Sequence, residues 1–182
     1  KCIHISSGGI YGGKLGKVFQ EDDLLAVDSP LGFYLGSKLC AEIIFQNYQH
    51  FFETAVILRP FFIYGPGQRQ DMFIPRLIES VRTGTPISLQ GAHGLRVNPV
   101  YVDDAVTAFA NALHLTGRHI INVAGPDVLS LRQAGERIGQ VFGCPPVFEH
   151  KLGDPVDYVA NTDQAVKKLD QPMTPFIVGL FH

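Results

Sequence analysis

Tyr34 and Lys38 are the residues whose types and spacing first indicate chemistry. They lie four positions apart in GFYLGSKLCAEIIFQNY, a segment with helical periodicity, so their side chains share one face of the helix. An ammonium group beside a phenol favours the phenolate by opposite-charge attraction, and a tyrosine that ionises readily can act as a general acid or base. Pairs at this spacing also occur on helix surfaces without any function, and the pair alone leaves both interpretations open.

Ser7 extends the pair to a set of three groups. It follows an apolar segment at 2–6 that predicts a buried strand, and the Tyr34 helix is predicted over about 33–50. A hydroxyl, a phenol and an ammonium together can exchange a proton with a carbinol or a carbonyl. The helix carries apolar residues on one side, namely Leu35, Leu39, Ile43 and Ile44.

Strands and helices alternate along the whole chain, which predicts an α/β fold with a mainly parallel sheet. Gly84 is the expected end of one helix, and Ser130 with Gln133 forms a capping box at the start of another. Residues 21–32 are predicted to form a loop. Further strands are predicted at 54–58, 86–90, 98–102, 119–124 and 146–149, and further helices at 72–84, 103–114, 130–142 and 162–169.

The composition excludes several classes of protein. The 182 residues are 46% hydrophobic and 18% charged, with a formal net charge of −2, which predicts a packed core and argues against nucleic acid or an anionic membrane as the main partner. No apolar segment approaches the length of a membrane span. The cysteines are odd in number, and neither they nor the histidines have metal-ligand spacing, so we expect no metal site and a reducing, cytoplasmic location.

A glycine-rich turn follows the first strand and nearly matches a phosphate-binding loop. The segment GGIYGGKL at 8–15 has Leu15 where that loop needs a hydroxyl for magnesium. The segment after it has no helical pattern, so no helix N-terminus would face a phosphate. We therefore expect no nucleotide triphosphatase, and a G-x-G-x-x-G dinucleotide fingerprint is absent from the sequence.

Four segments, in this order, resemble the extended short-chain dehydrogenases/reductases. SSGGIYG at 6–12 resembles their S-S-x-x-V-Y-G, and YLGSK at 34–38 matches their Y-x-x-x-K. LRPFFIYGPGQ at 58–68 resembles L-R-P-x-N-V-Y-G-P-G-Q, and VYVDDA at 100–105 resembles Y-V-D-D-V-A. The resemblance covers essentially the whole chain and is closest to the NAD-dependent epimerase/dehydratase branch, which implies a Rossmann-like fold.

The resemblance implies a role for each residue of the proposed proton-transfer set. Ser7 would orient the substrate oxygen, Tyr34 would exchange a proton with it, and Lys38 would make Tyr34 easier to ionise and bind the nicotinamide ribose. NAD or NADP would carry the hydride, which no side chain can carry. The backbone of Pro60 and Phe61 would lie against the nicotinamide.

A nucleotide sugar is the substrate that the resemblance implies. Its expected contacts are Ser7, Gly8, Phe62, Gln68, Arg69 and Arg96. Many sugar-nucleotide enzymes of the family carry Asn where this chain has Phe62, so a less polar alcohol or ketone stays open as the substrate. Arg96 stands one place earlier than the family's arginine, and either a diphosphate contact or a solvated loop charge fits it.

The resemblance also divides the chain. Residues 1–65 and 98–124 would form the second half of a Rossmann-like NAD(P)-binding domain, and 66–97 with 125–182 would form the substrate-binding region. The glycine turn and ribose-binding acid of a first half are not in the sequence, so we expect that residues before Lys1 are missing and that these 182 residues alone bind NAD weakly.

Three activities stay open on the sequence alone. They are an epimerase or dehydratase, a reductase or dehydrogenase of a less polar compound, and a cofactor-sensing module without catalysis. The last is disfavoured because Ser7, Tyr34 and Lys38 are all present. The resemblance also implies a homodimer through the Tyr34 helix, whose second apolar side includes Phe33, Cys40 and Phe45; burial within one subunit would explain that side equally well.

Overall fold

The computed structural model describes residues 1–26 and 31–181. Its strands are β1 (Cys2–Ile5), β2 (Val18–Phe19), β3 (Thr54–Pro60), β4 (Ile87–Gln90), β5 (Arg96–Val97), β6 (Gly117–Val123), β7 (Leu129–Ser130), β8 (Phe148–Lys151) and β9 (Val159–Ala160). Its α-helices are α1 (Gly32–Tyr48), α2 (Phe73–Thr83), α3 (Val102–Asn111), α4 (Leu131–Phe142), α5 (Asp163–Leu169) and α6 (Phe176–Gly179). Short 3₁₀ turns occupy Gly8–Tyr11, Gln49–Phe51 and Ala112–His114.

A parallel sheet in the order β1-β3-β6 is the centre of the fold. Side chains of the central strand alternate between its two faces. Val56 and Leu58 pack in a fully apolar cluster with α3 and α5, where small alanines allow the helices to approach closely. Arg59 points to the opposite face, which α1 covers through Glu42. The sheet therefore lies between two helical layers.

Two further apolar clusters flank this sheet. One joins α2, α4, α6 and the β4–β8 pair; its buried members include Tyr64, Leu77, Leu89, Ile138 and Phe176. The other lies beyond the carboxyl ends of β1 and β3 and contains Tyr11, Phe19, Phe61, Ala124 and Ala160. The second of these clusters supports the edge of the sheet where the candidate site lies.

The predicted α/β class with mainly parallel sheets is confirmed. The capping box is present at the start of α4, with both hydrogen bonds between Ser130 and Gln133. Gly84 ends α2 in the left-handed conformation (φ 68°), as the sequence predicts. The Tyr34 helix runs over Gly32–Tyr48 and continues as the 3₁₀ turn Gln49–Phe51, close to the predicted range.

The predicted strand at 98–102 is wrong. This segment is buried, and its backbone bonds irregularly to the loop after β3: Val100 N–H donates to Phe61 O (3.3 Å), and Val100 O accepts from Tyr64 N–H (2.9 Å). Pro99 has no N–H to donate to a ladder, and the Asn98 side chain bonds to Ala160 instead. The apolar run reflects burial of a connecting segment rather than a strand.

The predicted loop at 21–32 lies partly outside the described residues, which lack 27–30. Residues 21–26 belong to neither a helix nor a strand. Within 1–26 and 31–181, no helix is both long and apolar enough to cross a membrane. The same residues contain no group of three His, Cys, Asp or Glu side chains suited to a metal ion.

The central sheet and the β4–β8 pair fall in different parts of the proposed division. All three strands of the central sheet lie within 1–65 and 98–124, and both strands of the β4–β8 pair lie within 66–97 and 125–182. The β2–β9 pair joins the two parts. The domain boundaries stay a prediction.

Candidate active site

The carboxyl ends of β1 and β3 bring two of the predicted site segments to one edge. Ile5 pairs with Leu58 at the end of the parallel ladder, and Ser6 N–H extends it by donating to Leu58 O (2.8 Å). Ser7 and Pro60 therefore leave neighbouring strands at the same edge. In open α/β sheets this edge is where ligands bind.

Ser7 begins the 3₁₀ turn Gly8–Tyr11, and residues 6–12 are called the serine turn below. The Ser7 Oγ accepts a hydrogen bond from Gly9 N–H (3.2 Å), as a capping side chain does. This bond uses an oxygen lone pair, so the hydroxyl proton can be donated to a substrate oxygen. Ser6, in contrast, is buried.

Two glycines fit the serine turn closely between β3 and α1. A Cβ at Gly8 would lie 2.2 Å from the ring of Phe61, and a Cβ at Gly9 would lie 2.6 Å from Leu35 Cδ2. Phe61 is fully buried after β3, and Leu35 follows Tyr34 on α1. The absence of side chains at 8 and 9 thus sets Ser7 close to both segments that carry the other predicted site residues.

Helix α1 presents Tyr34 and Lys38 together. The Tyr34 side chain is 61% exposed, and Lys38 Nζ lies 5.9 Å from its ring centroid. Lys38 Nζ also donates to Ile5 O (3.0 Å), at the end of β1. That bond uses one of three N–H donors and fixes the ammonium group next to the serine turn. The structure therefore brings Ser7, Tyr34 and Lys38 to one edge of the sheet.

Tyr11 is a second tyrosine near this edge, in a different environment. It is buried, its hydroxyl donates to Asn122 Oδ1 (3.0 Å), and it accepts a bond from Arg59 Nη1. Burial raises the pKa of Tyr11 to about 12, against the opposing effect of Arg59. Tyr11 consequently stays protonated and hydrogen-bonded to Asn122 and Arg59 near neutral pH, and it is unsuited to proton exchange with a ligand.

The loop after β3 contains three of the predicted substrate contacts, Phe62, Gln68 and Arg69. Phe62 has φ 44°, a left-handed conformation that is unusual for a bulky residue, and its ring packs against Phe73 and Tyr158 at centroid distances of 5.1 and 6.0 Å. Gln68 Nε2 donates to Ile63 O (2.8 Å), within its own loop. Arg69 is exposed and pairs with Asp71 (Nε to Oδ1, 3.0 Å).

Arg96 is held by an ion pair rather than lying as a solvated charge. Its Nε and Nη2 donate to Asp157 Oδ2 at 2.9 and 2.7 Å, and its backbone N–H donates to Oδ1 (2.9 Å). Asp157 also accepts from Gly16 N–H (2.8 Å). Burial opposes ionisation of Asp157, yet these hydrogen bonds hold its pKa below the ordinary value. Arg96 is still partly exposed, so its open side can meet an anion.

The sequence interpretation missed the buried pair of Arg59 and Glu42. Arg59 Nε donates to Glu42 Oε2 (3.3 Å) and Nη2 to Oε1, and both side chains are almost completely buried. A signal was present in the sequence: each charge interrupts an apolar pattern, Arg59 in the strand TAVILRP and Glu42 on the helix side that carries Leu35 and Leu39. Two opposite charges at core positions predict a buried pair.

The sequence is similar to a known family and to several known proteins. The family described as "NAD dependent epimerase/dehydratase family" matches residues 1–124. A UDP-glucuronate 4-epimerase of Thermodesulfobacterium geofontis is 32% identical over 145 residues, which are 79% of this chain and 44% of that protein. An uncharacterized UDP-glucose epimerase of Bacillus subtilis is 32% identical over 186 residues, 98% of this chain and 57% of that protein.

A solved structure is similar over nearly the whole chain. The UDP-glucuronic acid 4-epimerase of Bacillus cereus, in complex with UDP-glucuronic acid and NAD, superposes with a TM-score of 0.81 at 28% identity. The match covers 98% of this chain and 58% of that one. The chain thus spans between 44% and 58% of the length of these three proteins.

Proposed function

Because the chain belongs to the NAD-dependent epimerase/dehydratase family, we propose that it carries the proton-transfer site of an enzyme that oxidises a secondary alcohol of a nucleotide sugar. The observation that carries the proposal is the meeting of Ser7, Tyr34 and Lys38 at the carboxyl edge of a parallel sheet. An epimerase would return the hydride to the same substrate. A dehydratase would eliminate water from the substrate before the hydride is returned.

NAD is the cofactor that we propose, and the residues present fit its nicotinamide end. Lys38 provides ammonium donors over the ring of the exposed Tyr34, as a ribose needs. Pro60 ends β3 at the same edge, and Phe61 after it packs against Gly8 of the serine turn. When bound, NAD supplies the site that accepts and returns a hydride.

The side chains have complementary tasks in this proposal. Tyr34 accepts the proton of the substrate hydroxyl during oxidation and returns it during reduction. Ser7 donates a hydrogen bond to the same oxygen and orients it. Lys38, fixed by Ile5 O at 3.0 Å, places a positive charge over the Tyr34 ring and leaves N–H donors for the ribose.

A nucleotide sugar is proposed as the substrate from the relatives, and UDP-glucose and UDP-glucuronic acid are the first compounds to test. Arg96 would meet the diphosphate with the side not occupied by Asp157. Phe62 favours a second candidate, the reduction of a less polar ketone, since its ring packs among aromatics. A steady change in reduced nicotinamide absorbance would indicate that net reduction; interconversion without it would indicate epimerisation.

The decisive experiment substitutes Tyr34 in the full-length protein. We expect Tyr34→Phe to lower turnover of the nucleotide sugar by at least about 100-fold, the loss expected for a general acid–base, while NAD affinity changes little. Tyr48→Phe is the matched control, because Tyr48 is on the same helix and is 58% exposed. Full turnover in Tyr34→Phe would remove Tyr34 from the reaction and with it the proposed function.

We further propose a homodimer through α1. Phe33, Cys40, Ile44 and Tyr48 are spaced seven, four and four residues apart, which is one stripe of a helix, and all four are exposed, Phe33 by 93%. Phe45, predicted for the same side, instead stacks on His4 (5.5 Å) within the subunit. An apolar stripe of this kind is typical of a helix that packs against another copy.

The dimer is tested by the mass of the full-length protein in solution. Ile44→Asp places a charge in the stripe, so we expect a monomer by light scattering after gel filtration. Val106→Asp is the matched control, since Val106 is similarly exposed (57% against 61%) but lies on α3. A dimer that survives Ile44→Asp would place the interface elsewhere.

A cytoplasmic location is proposed from the free state of Cys2, Cys40 and Cys144, because free thiols are typical of a reducing compartment. Fractionation of the producing cells tests it, and recovery of the protein outside the cytoplasm would contradict it.

A further inference from the structure

We propose that Arg59 is a positioning residue that fixes the serine turn and helix α1 relative to each other. This inference rests on the proposed function, which makes Ser7 and Lys38 partners in one reaction. Arg59 is only 2% exposed and lies beneath the site rather than in it. It would act through Glu42 and Tyr11, neither of which we place in contact with substrate.

The first half of the connection is the ion pair with α1. Two guanidinium nitrogens of Arg59 donate to the two carboxylate oxygens of Glu42, a forked geometry that fixes orientation as well as distance. Gln46 Nε2 supports the carboxylate from the next turn of the helix (3.1 Å). This pair fixes the rotation and height of α1 against β3.

The second half of the connection reaches the serine turn. Arg59 Nη1 donates to the Tyr11 hydroxyl and to Glu21 O (3.0 Å), and the guanidinium lies 4.9 Å from the Tyr11 ring centroid. Tyr11 in turn donates to Asn122 of β6. With the bonds to Glu42, four of the five N–H groups of Arg59 are used.

The partners of Arg59 occupy corresponding places next to the proton-transfer residues. Tyr11 lies four residues after Ser7, at the other end of the same turn. Glu42 lies four residues after Lys38, one helical turn away. Arg59 itself precedes Pro60 on β3. One guanidinium therefore connects, through Tyr11 and Glu42, the three segments that carry Ser7, Lys38 and Pro60.

Stability alone does not account for this arrangement. Burial opposes the charge of Arg59, but its bonds to Glu42 and Tyr11 outweigh that effect and raise its pKa. A buried ion pair is often matched or exceeded in stability by apolar side chains of similar volume. Apolar side chains cannot reproduce the hydrogen bonds that fix the orientation of α1, β3 and the serine turn relative to one another. This orientation matters because a displacement of about 1 Å can cost about 100-fold in rate.

The test compares two variants of the full-length protein. The first, Arg59→Met with Glu42→Leu, replaces the pair by apolar residues and keeps the core filled. We expect a melting temperature close to the parent, a kcat lowered by at least about 10-fold, and a KM for the nucleotide sugar within about 3-fold. Amide hydrogen exchange should increase in Gly8–Tyr11. If this variant has the same kcat and the same amide hydrogen exchange in Gly8–Tyr11 as the parent protein, the proposal is overturned.

The second variant decides the question if the first does not fold. Tyr11→Phe keeps the ion pair and the ring that stacks on Phe19 (4.7 Å), and removes only the hydroxyl, which bonds to Arg59 and to Asn122. We expect faster exchange in Gly8–Tyr11, unchanged exchange in α1, and a lower kcat with unchanged KM. Unchanged exchange and kcat would overturn the proposal. The exposed pair Lys151–Glu149, replaced by Met and Leu, is the matched control.

The two proposals fail in distinguishable ways. Hydrogen exchange in Tyr11→Phe reports on the connection between Arg59 and the serine turn whether or not the protein turns over a nucleotide sugar. An active Tyr34→Phe variant would overturn the proposed function. Parent-like exchange in Tyr11→Phe, with an inactive Tyr34→Phe, would overturn only the positioning role of Arg59.

Discussion

Gly8 provides a direct test of how the serine turn is placed. In Gly8→Ala the new Cβ would lie 2.2 Å from Phe61 Cε2 and 2.4 Å from two more ring atoms, whereas ordinary contacts begin at about 3.4 Å. Either the backbone at residue 8 or the Phe61 ring must therefore move by roughly 1 Å. Phe61 is 1% exposed and belongs to a packed aromatic cluster, so the serine turn is the part expected to move.

The expected size of the effect follows from this displacement. Overpacking of a core contact costs about 1–3 kcal/mol, which lowers the melting temperature by about 2–4 °C for each kcal/mol in a chain of this size. Ser7 is adjacent to Gly8, so a shift of about 1 Å would lower kcat by about 100-fold. The loss of activity should therefore far exceed any loss of folded protein at 25 °C.

The assay measures thermal unfolding and turnover of the nucleotide sugar in the full-length protein. Gly36→Ala is the control: it lies on α1 between Tyr34 and Lys38, and a Cβ there meets nothing within 4 Å. Since alanine is the better helix former, it should stabilise by about 0.5–1 kcal/mol and leave kcat unchanged. Adding Phe61→Leu to Gly8→Ala should restore part of kcat. Parent activity in Gly8→Ala would refute the packing argument.

Two further predictions concern Asp157 and Phe62. The pKa of Asp157 is lowered in the folded state, so on acidification Asp157 is protonated in the unfolded chain before it is protonated in the folded protein. The ionised Asp157 therefore stabilises the fold above about pH 4, and this stabilisation is lost as the pH falls below that value. Denaturant titrations between pH 5 and 2 should therefore give a shallower decline in Asp157→Asn than in the parent; equal slopes would contradict this. At Phe62 (φ 44°), Asn accepts the left-handed conformation and Ala does not, so Phe62→Asn should be more stable than Phe62→Ala by up to about 1 kcal/mol in chemical unfolding. An Ala variant at least as stable as the Asn variant would show that the backbone there is not strained.

The sequence predicted those elements whose signals are local. The capping box at Ser130 and the terminal glycine at 84 depend on neighbouring residues only, and both are confirmed. The positions of Tyr34 and Lys38 on one helix follow in the same way from helical spacing. Their position near Ser7 was implied by the family resemblance, and the bond from Lys38 Nζ to Ile5 O, two residues before Ser7, provides the physical reason for it.

The missed features depend on contacts between distant parts of the chain. Segment 98–102 has the composition of a strand, but the loop at 61–64 and the Asn98 bonds to Ala160 determine its backbone partners. The Arg96–Asp157 pair spans 61 residues. No local pattern indicates which carboxylate an arginine will meet at such a separation, so either interpretation of Arg96 fitted the sequence.

Tyr11 and Tyr34 show how environment, rather than residue type, separates a structural from a reactive group at this edge. Both tyrosines lie in segments that resemble family motifs, and both have a cation nearby, Arg59 for Tyr11 and Lys38 for Tyr34. Tyr11 is buried and donates a hydrogen bond to Asn122, and burial raises its pKa to about 12. Tyr34 is mostly exposed, and its cation is held by a backbone carbonyl. The buried tyrosine therefore suits the fixed connection to Arg59, and the exposed one suits exchange of a proton with a bound sugar.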